Sequence, residues 1–173
     1  MTVPVKLGVS ACLLGLPVRY DGGERRDENI INILGALFTL VPLCPEVECG
    51  MTTPREPMRL ESDSDSTARL IVISSRTDKT EQMLAFCKTK LKQLEELNLC
   101  GFIFKERSPS CALSTAPLHR KSPSQRFTAG LFANEVTRHF PLIPLEEAEN
   151  LRTPHILDNF IERVHLYSEQ LCL

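Results

Sequence analysis

Three of the seven cysteines stand where the chain turns. Cys12 closes the first apolar run, Cys44 follows the second directly, and Cys111 lies in the loop after the run Leu99 to Phe104. Gly15, Pro45 and Pro109 sit beside them. Buried filler is the plain reading of any free cysteine, but loop ends are poor places for it. Cys87, on a helical stripe, and Cys100, in a strand, suit that reading better, and terminal Cys172 reads as inert. Three thiolates can hold zinc or an iron–sulfur cluster. No CxxC is present; Cys44 and Cys49 form only a C-x4-C fragment. Asp21, Glu46, Ser108 and Ser110 fall in the same three loops. A carboxylate beside a metal can act as general base toward water, and a serine hydroxyl can donate to a developing anion. The plainer readings are an Asx turn for Asp21 before Gly22-Gly23, a solvated loop acid for Glu46, and loop caps around Pro109 for the serines. Arg55, Arg59 and Lys105 lie near the same edge and could bind an anion or a base carbonyl.

These residues meet only if the elements carrying them converge. Val5 to Leu14 reads as a buried strand feeding a loop, and Phe38 to Leu43 as a strand stopped by Pro45. Glu24 to Leu37 has helical spacing. Glu46 to Pro57 reads as a long loop, Ser62 to Thr67 as a solvated turn, and Arg69 to Ser74 as a short strand. Asp78 to Asn98 is the clearest helix, with Leu84, Cys87, Leu91, Leu94 and Leu97 on one stripe and Thr77 or Asp78 as its cap. Leu99 to Phe104 is a strand, residues 114–126 an exposed connection, Ala129 to Phe140 a helix, and Pro154 opens a last helix reaching about Gln170. Strands alternating with helices predict a single α/β domain over 1–173, Rossmann-like in having a mainly parallel sheet, with residues 141–173 as a helical extension. In such a sheet the C-terminal strand ends share one edge, where ligands bind.

The 173 residues are 42% hydrophobic and 24% charged, with a net charge of −2. General nucleic-acid binding, which leaves a basic footprint, is not expected. With no Trp and two Tyr, stacking platforms for single strands are poorly supplied. No apolar run approaches the length of a membrane span, and the N-terminus does not read as a signal peptide. Disulfides are rare in reducing cytosol, so an odd cysteine count without an export signal predicts a cytoplasmic protein with metal-binding or buried thiols. All four histidines lie in the C-terminal third, which leaves a cysteine-based hydrolase without a well-placed base. Phosphate-loop, nucleophile-elbow and HExxH motifs are absent.

The segments GVSACLLG and PVRYDGG within Gly8–Gly23, VPLCPEV at Val41–Val47, TPRE at Thr53–Glu56 and FKERSPSC at Phe104–Cys111 resemble the thiouracil desulfidase family, long an uncharacterised bacterial domain family. The C-terminal stretch from Gly130 resembles the branch in which this domain is fused to a second one. The resemblance implies a Rossmann-like domain carrying a 4Fe-4S cluster on Cys12, Cys44 and Cys111, its fourth iron open for sulfur. It implies desulfuration of a small-molecule thio-nucleobase or nucleoside of the 2-thiouracil type, releasing the oxo-base and sulfide, with Glu46, Ser108 and Asp21 at the family's polar active-site positions. Cys49, where family members often show Gly nearby, and the stretch after Cys111, usually Gly-rich, depart from the pattern. The alternative reading is a non-catalytic accessory module, a nucleotide-binding domain bearing a metal or a cluster.

Overall fold

The computed structural model describes residues 4–63, 67–121 and 126–171; Cys172 and the centre of the Ser62 to Thr67 tract lie outside them. In chain order the strands are β1 (Lys6–Ser10), β2 (Thr39–Leu43), β3 (Met58–Glu61), β4 (Arg69–Val72), β5 (Leu99–Phe104), β6 (Ala116–His119), β7 (Arg126–Thr128) and β8 (Leu145–Glu147). The helices are α1 (Gly35–Leu37), α2 (Pro45–Glu48), α3 (Thr80–Glu96), α4 (Leu131–His139) and α5 (Pro154–Leu171). A π-helical turn, Ile30–Leu34, leads into α1, and 3-10 turns cover Ala11–Leu14 and Asn150–Arg152.

The first sheet has the order β2-β1-β5-β8 and is parallel throughout. Both of its faces are covered, so β5 is buried at every position, as a central parallel strand must be. On one face Phe102 and Phe104 pack with Phe132 of α4 and Met83, Cys87 and Leu91 of α3. On the other, Leu7, Val9 and Ile103 meet Phe160 and Val164 of α5. Gly8 interrupts the first apolar run because a Cβ there would lie 2.2 Å from the Phe102 ring. After β2 the chain crosses over β1 to form β5, so the C-terminal ends of these strands frame a topological switch point. Ser10 is in register with Leu43, and Val9 with Ile103.

Several elements differ from the sequence expectation. The helix expected from Glu24 starts only after Asp27, whose Oδ1 accepts from the N–H groups of Asn29 and Ile30. Residues before it are held extended instead, with the Arg25 and Asp27 N–H groups donating to the Cys12 and Leu13 carbonyls. The loop expected from Glu46 opens with the short helix α2, Pro45 taking its first position. Met83 rather than Leu84 begins the buried stripe of α3. Residues 114–126 contain β6, part of a second sheet of order β4-β3-β6-β7. The parallel pairing of β3 with β6 leaves no periodic trace in strands of four residues, and β6 carries Pro117. The extension expected from residue 141 first adds β8 to the edge of the parallel sheet, Phe102 pairing with Leu145, and only then becomes helical. No helix among the described residues is long and apolar enough to cross a membrane.

The loop after β5 is clamped by α4. The N–H groups of Leu131, Phe132 and Ala133 donate to the carbonyls of Pro109, Ser110 and Ser110, so helix-terminal donors are satisfied by the loop backbone. Gly130 makes this approach possible: a Cβ there would lie 2.4 Å from the Ser110 carbonyl carbon and 2.8 Å from the Cys111 nitrogen. Gly130→Ala is expected to destabilise the fold by about 1–3 kcal/mol through overpacking, read as a lowered urea midpoint.

Candidate active site

Each of the three loop cysteines is delivered by one parallel strand. Beyond β1 the 3-10 turn carries Cys12 inward; Cys44 directly follows β2; and Cys111 lies in the clamped loop after β5. Lys105, the residue after β5, donates its N–H to Ser10 Oγ at 3.0 Å and joins two of these strand ends. All three cysteines line one cavity of about 460 Å³. Cys12 and Cys111 are buried and Cys44 is half-buried. Burial pushes the Cys12 thiol up to about 11 against the pull of Lys105 and Arg19. It raises Cys44 as well, and carries Cys111 well above its ordinary value, with Cys44, Glu46 and Cys12 adding to the effect.

Thiols so placed gain negative charge only alongside a compensating cation, which is what a metal centre provides. Among the described residues no three His, Cys, Asp or Glu side chains are close enough to hold a single metal ion. Three soft thiols lining one cavity are a donor set that suits an iron–sulfur cluster.

Glu46, on α2, lines the same cavity, and its charge helps to raise Cys44 and Cys111. It is 9% exposed. Its Oε1 accepts from Ser110 Oγ at 2.7 Å, and its Oε2 meets Arg55 Nε at 2.7 Å and Nη2 at 2.6 Å. Arg55 also donates to the carbonyls of Val18, at 2.9 Å, and Thr52. Glu46 is thus a buried, fixed carboxylate rather than a solvated acid. Ser108 lines the cavity, and its Oγ accepts from the N–H groups of Ser110 and Cys111. That hydroxyl shapes the loop around Pro109 while its own O–H stays available.

Other sequence-selected residues fall elsewhere. Asp21 is exposed; its Oδ1 accepts the Gly23 N–H at 3.0 Å, and it does not line the cavity. Its carboxyl is held below the ordinary range, chiefly by that hydrogen bond. Cys49 also lies outside the lining, its thiol donating to the Glu46 carbonyl at 3.2 Å. Arg59 pairs with Glu61 along β3. Cys87 and Cys100 are buried. Sequence reasoning missed Arg19 and Glu106, which do line the cavity. Both read as solvated charges in one dimension, their only signal being proximity to Asp21 and Ser108 within the same motifs.

The sequence profile of the family described as 2-thiouracil desulfurase matches residues 7–148, from β1 through β8. The chain belongs to the 2-thiouracil desulfurase family. The match contains the parallel sheet except for Lys6 and every cavity residue named above, while α5 lies beyond it. The uncharacterized protein YbbK of Bacillus subtilis (strain 168) is 36% identical over 108 residues, 60% of this chain and 70% of that protein. Among solved structures, the 4Fe-4S-dependent thiouracil desulfidase TudS is similar with a TM-score of 0.69 at 27% identity, over 90% of this chain and 98% of its own. The family and the α/β architecture expected from the motifs are thereby established.

The buried Glu46–Arg55 pair generates a stability prediction. Arg55→Met leaves the carboxylate buried without its cation and is expected to cost about 3–5 kcal/mol. Adding Glu46→Met removes the stranded charge, so the double variant should be more stable than Arg55→Met alone in chemical denaturation.

Proposed function

We propose that this chain is a desulfidase of thiolated nucleobases of the 2-thiouracil type, acting through a 4Fe-4S cluster held by Cys12, Cys44 and Cys111. The observation that carries the reading is the convergence of three thiols from three parallel strand ends on one cavity, beside a buried carboxylate, in a chain of this family. The 4Fe-4S dependence of TudS supports the choice of cofactor. When bound, the cluster supplies an open iron that prefers a soft thiocarbonyl sulfur to oxygen and polarises its carbon as a Lewis acid.

The chain's own residues supply the rest. Oε2 of Glu46 is taken up by Arg55, but Oε1 has a single donor, Ser110, and a carboxylate oxygen has two lone pairs. A water held at Oε1 loses a proton to Glu46 as its oxygen adds to the thiocarbonyl carbon. Arg55 fixes the carboxylate plane, and Ser110 fixes its tilt. The Ser108 hydroxyl donates to the polar edge of the base. The C–S bond breaks, the water oxygen stays on carbon as the new carbonyl, and both water protons leave with the sulfide. No electrons are transferred. Asp21 is tied into its turn at the surface and takes no part.

The test is anaerobic reconstitution followed by incubation with 2-thiouracil. About four irons per chain and release of uracil and sulfide are expected. A loaded protein that binds the thio-base and releases no sulfide is an accessory module, and an iron-free protein with full turnover ends the cluster assignment.

Ala at Cys12, Cys44 or Cys111 should strip most of the iron, whereas Cys49→Ala should retain it. Glu46→Gln keeps the shape but cannot accept the water proton, so turnover should fall by about 10²–10⁴ with iron content unchanged. Iron assay and sulfide release on the same samples separate the two effects.

A further inference from the structure

The loop after β1 brings an aromatic ring to the cavity, and the proposed chemistry does not use it. Tyr20 lines the cavity and is 42% exposed. Among the described residues of the lining it alone is aromatic. The chain has no Trp, and its other tyrosine, Tyr167 of α5, packs against the cores on both faces of the parallel sheet. Tyr20 is held from several sides. A turn closes around it, the Gly22 N–H donating to the Arg19 carbonyl at 2.9 Å and the Arg19 N–H to the Gly23 carbonyl at 3.1 Å. The Tyr20 carbonyl accepts the Arg55 N–H at 2.8 Å. The Arg19 guanidinium carbon lies over the ring, 5.6 Å from its centroid, and Arg19 Nε is 3.6 Å from Asp21 Oδ1. Arg19 thus takes one face of the ring, and among the described residues no second ring or cation takes the other. The Tyr20 hydroxyl has no hydrogen-bond partner among them either, so this wall of the cavity offers a ring face rather than a fixed polar tip. Arg55, whose backbone holds Tyr20, holds the Glu46 carboxylate with its side chain. One residue therefore fixes both the ring and the proposed general base.

A half-exposed aromatic face beside polar groups suits a flat, conjugated ring. Stacking of a nucleobase on an aromatic side chain depends on the base's π-face and not on its hydrogen-bonding edge. Glu46 and Ser108 address atoms of the reacting carbon and the polar edge, and neither sets the plane of the ring. Building on the desulfidase reading, we infer that Tyr20 is a substrate-binding residue that sets that plane: the free face of its ring stacks on the pyrimidine, and Arg55 keeps the stack at a fixed position relative to the Glu46 carboxylate. Water adds to a thiocarbonyl carbon from above the ring plane, so fixing the plane fixes the line of approach. The specificity this creates is for planar, conjugated rings over saturated rings that bear the same carbonyl and N–H groups.

Uracil and 5,6-dihydrouracil test this without chemistry, since neither has sulfur to lose. Both carry the same pair of carbonyls and the same pair of ring N–H groups. Dihydrouracil lacks the ring C=C bond and is puckered, so it loses the flat π-face and keeps the edge. Equilibrium dialysis with anaerobically loaded protein is expected to show uracil bound more tightly by about fivefold or more, the lower end of what a base–aromatic stack contributes. Tyr20→Phe should keep that preference. Tyr20→Leu, which retains apolar bulk, should lose most of it at unchanged iron content. Equal binding of the two rings by the wild type, binding of neither, or a preference that survives Tyr20→Leu overturns the inference. Sulfide release from 2-thiouracil by the wild type is followed in parallel. Sulfide release together with equal binding removes this inference alone. A uracil preference that depends on Tyr20, in a protein that releases no sulfide, removes the desulfidase reading and leaves the stacking role standing.

Discussion

The Glu46 carboxylate holds three loops of this protein to one another. It sits on the loop after β2, binds Ser110 of the loop after β5, and through Arg55 reaches the Val18 carbonyl of the loop after β1. A parallel sheet brings strand ends to one edge, but it does not set how the loops beyond that edge stand relative to each other. A buried carboxylate is stable only when its cation and its hydrogen bonds are all present. The same demand that keeps Glu46 paired therefore keeps Cys44 and Cys111 facing one cavity.

Backbone contacts complete the frame around that cavity. Ser10 Oγ takes the Lys105 N–H, and α4 presents its first N–H groups to the Pro109 and Ser110 carbonyls. Glu147, at the end of β8, accepts through Oε1 from the N–H groups of Leu113, Ser114 and Thr115 and from the Thr115 hydroxyl. The segment after Cys111 is thus anchored on both sides.

The sheet positions were largely legible in one dimension. Apolar runs interrupted by Gly8, Pro45 and Pro109 are local signals, and β1, β2 and β5 fall where those signals put them. So does α3, whose stripe spans several turns. The short strands β3, β6, β7 and β8 were not legible, because three or four residues hold no period, and β3 and β8 are placed by partners far along the chain. The irregular path before α1 was hidden for a related reason: Asp27 caps with its own side chain while the residues before it bond to the Cys12 turn.

Residue types and spacing alone were enough to select Cys12, Cys44 and Cys111 from seven cysteines, since each follows an apolar run and adjoins a chain-turning residue. They also nominated Asp21, Glu46, Ser108 and Ser110 from the same three loops. The tertiary structure separated these. Asp21 finds its partner two residues away and faces solvent, a contact the local sequence already contained. Glu46 finds Ser110 sixty-four residues away and is buried by it. Burial and long-range charge pairing depend on which segments pack together, and no local pattern encodes that. The convergence of thiols, carboxylates and Lys105 on one cavity was therefore decided by the sheet order and the loop contacts, while the sequence determined which residues were available to be gathered there.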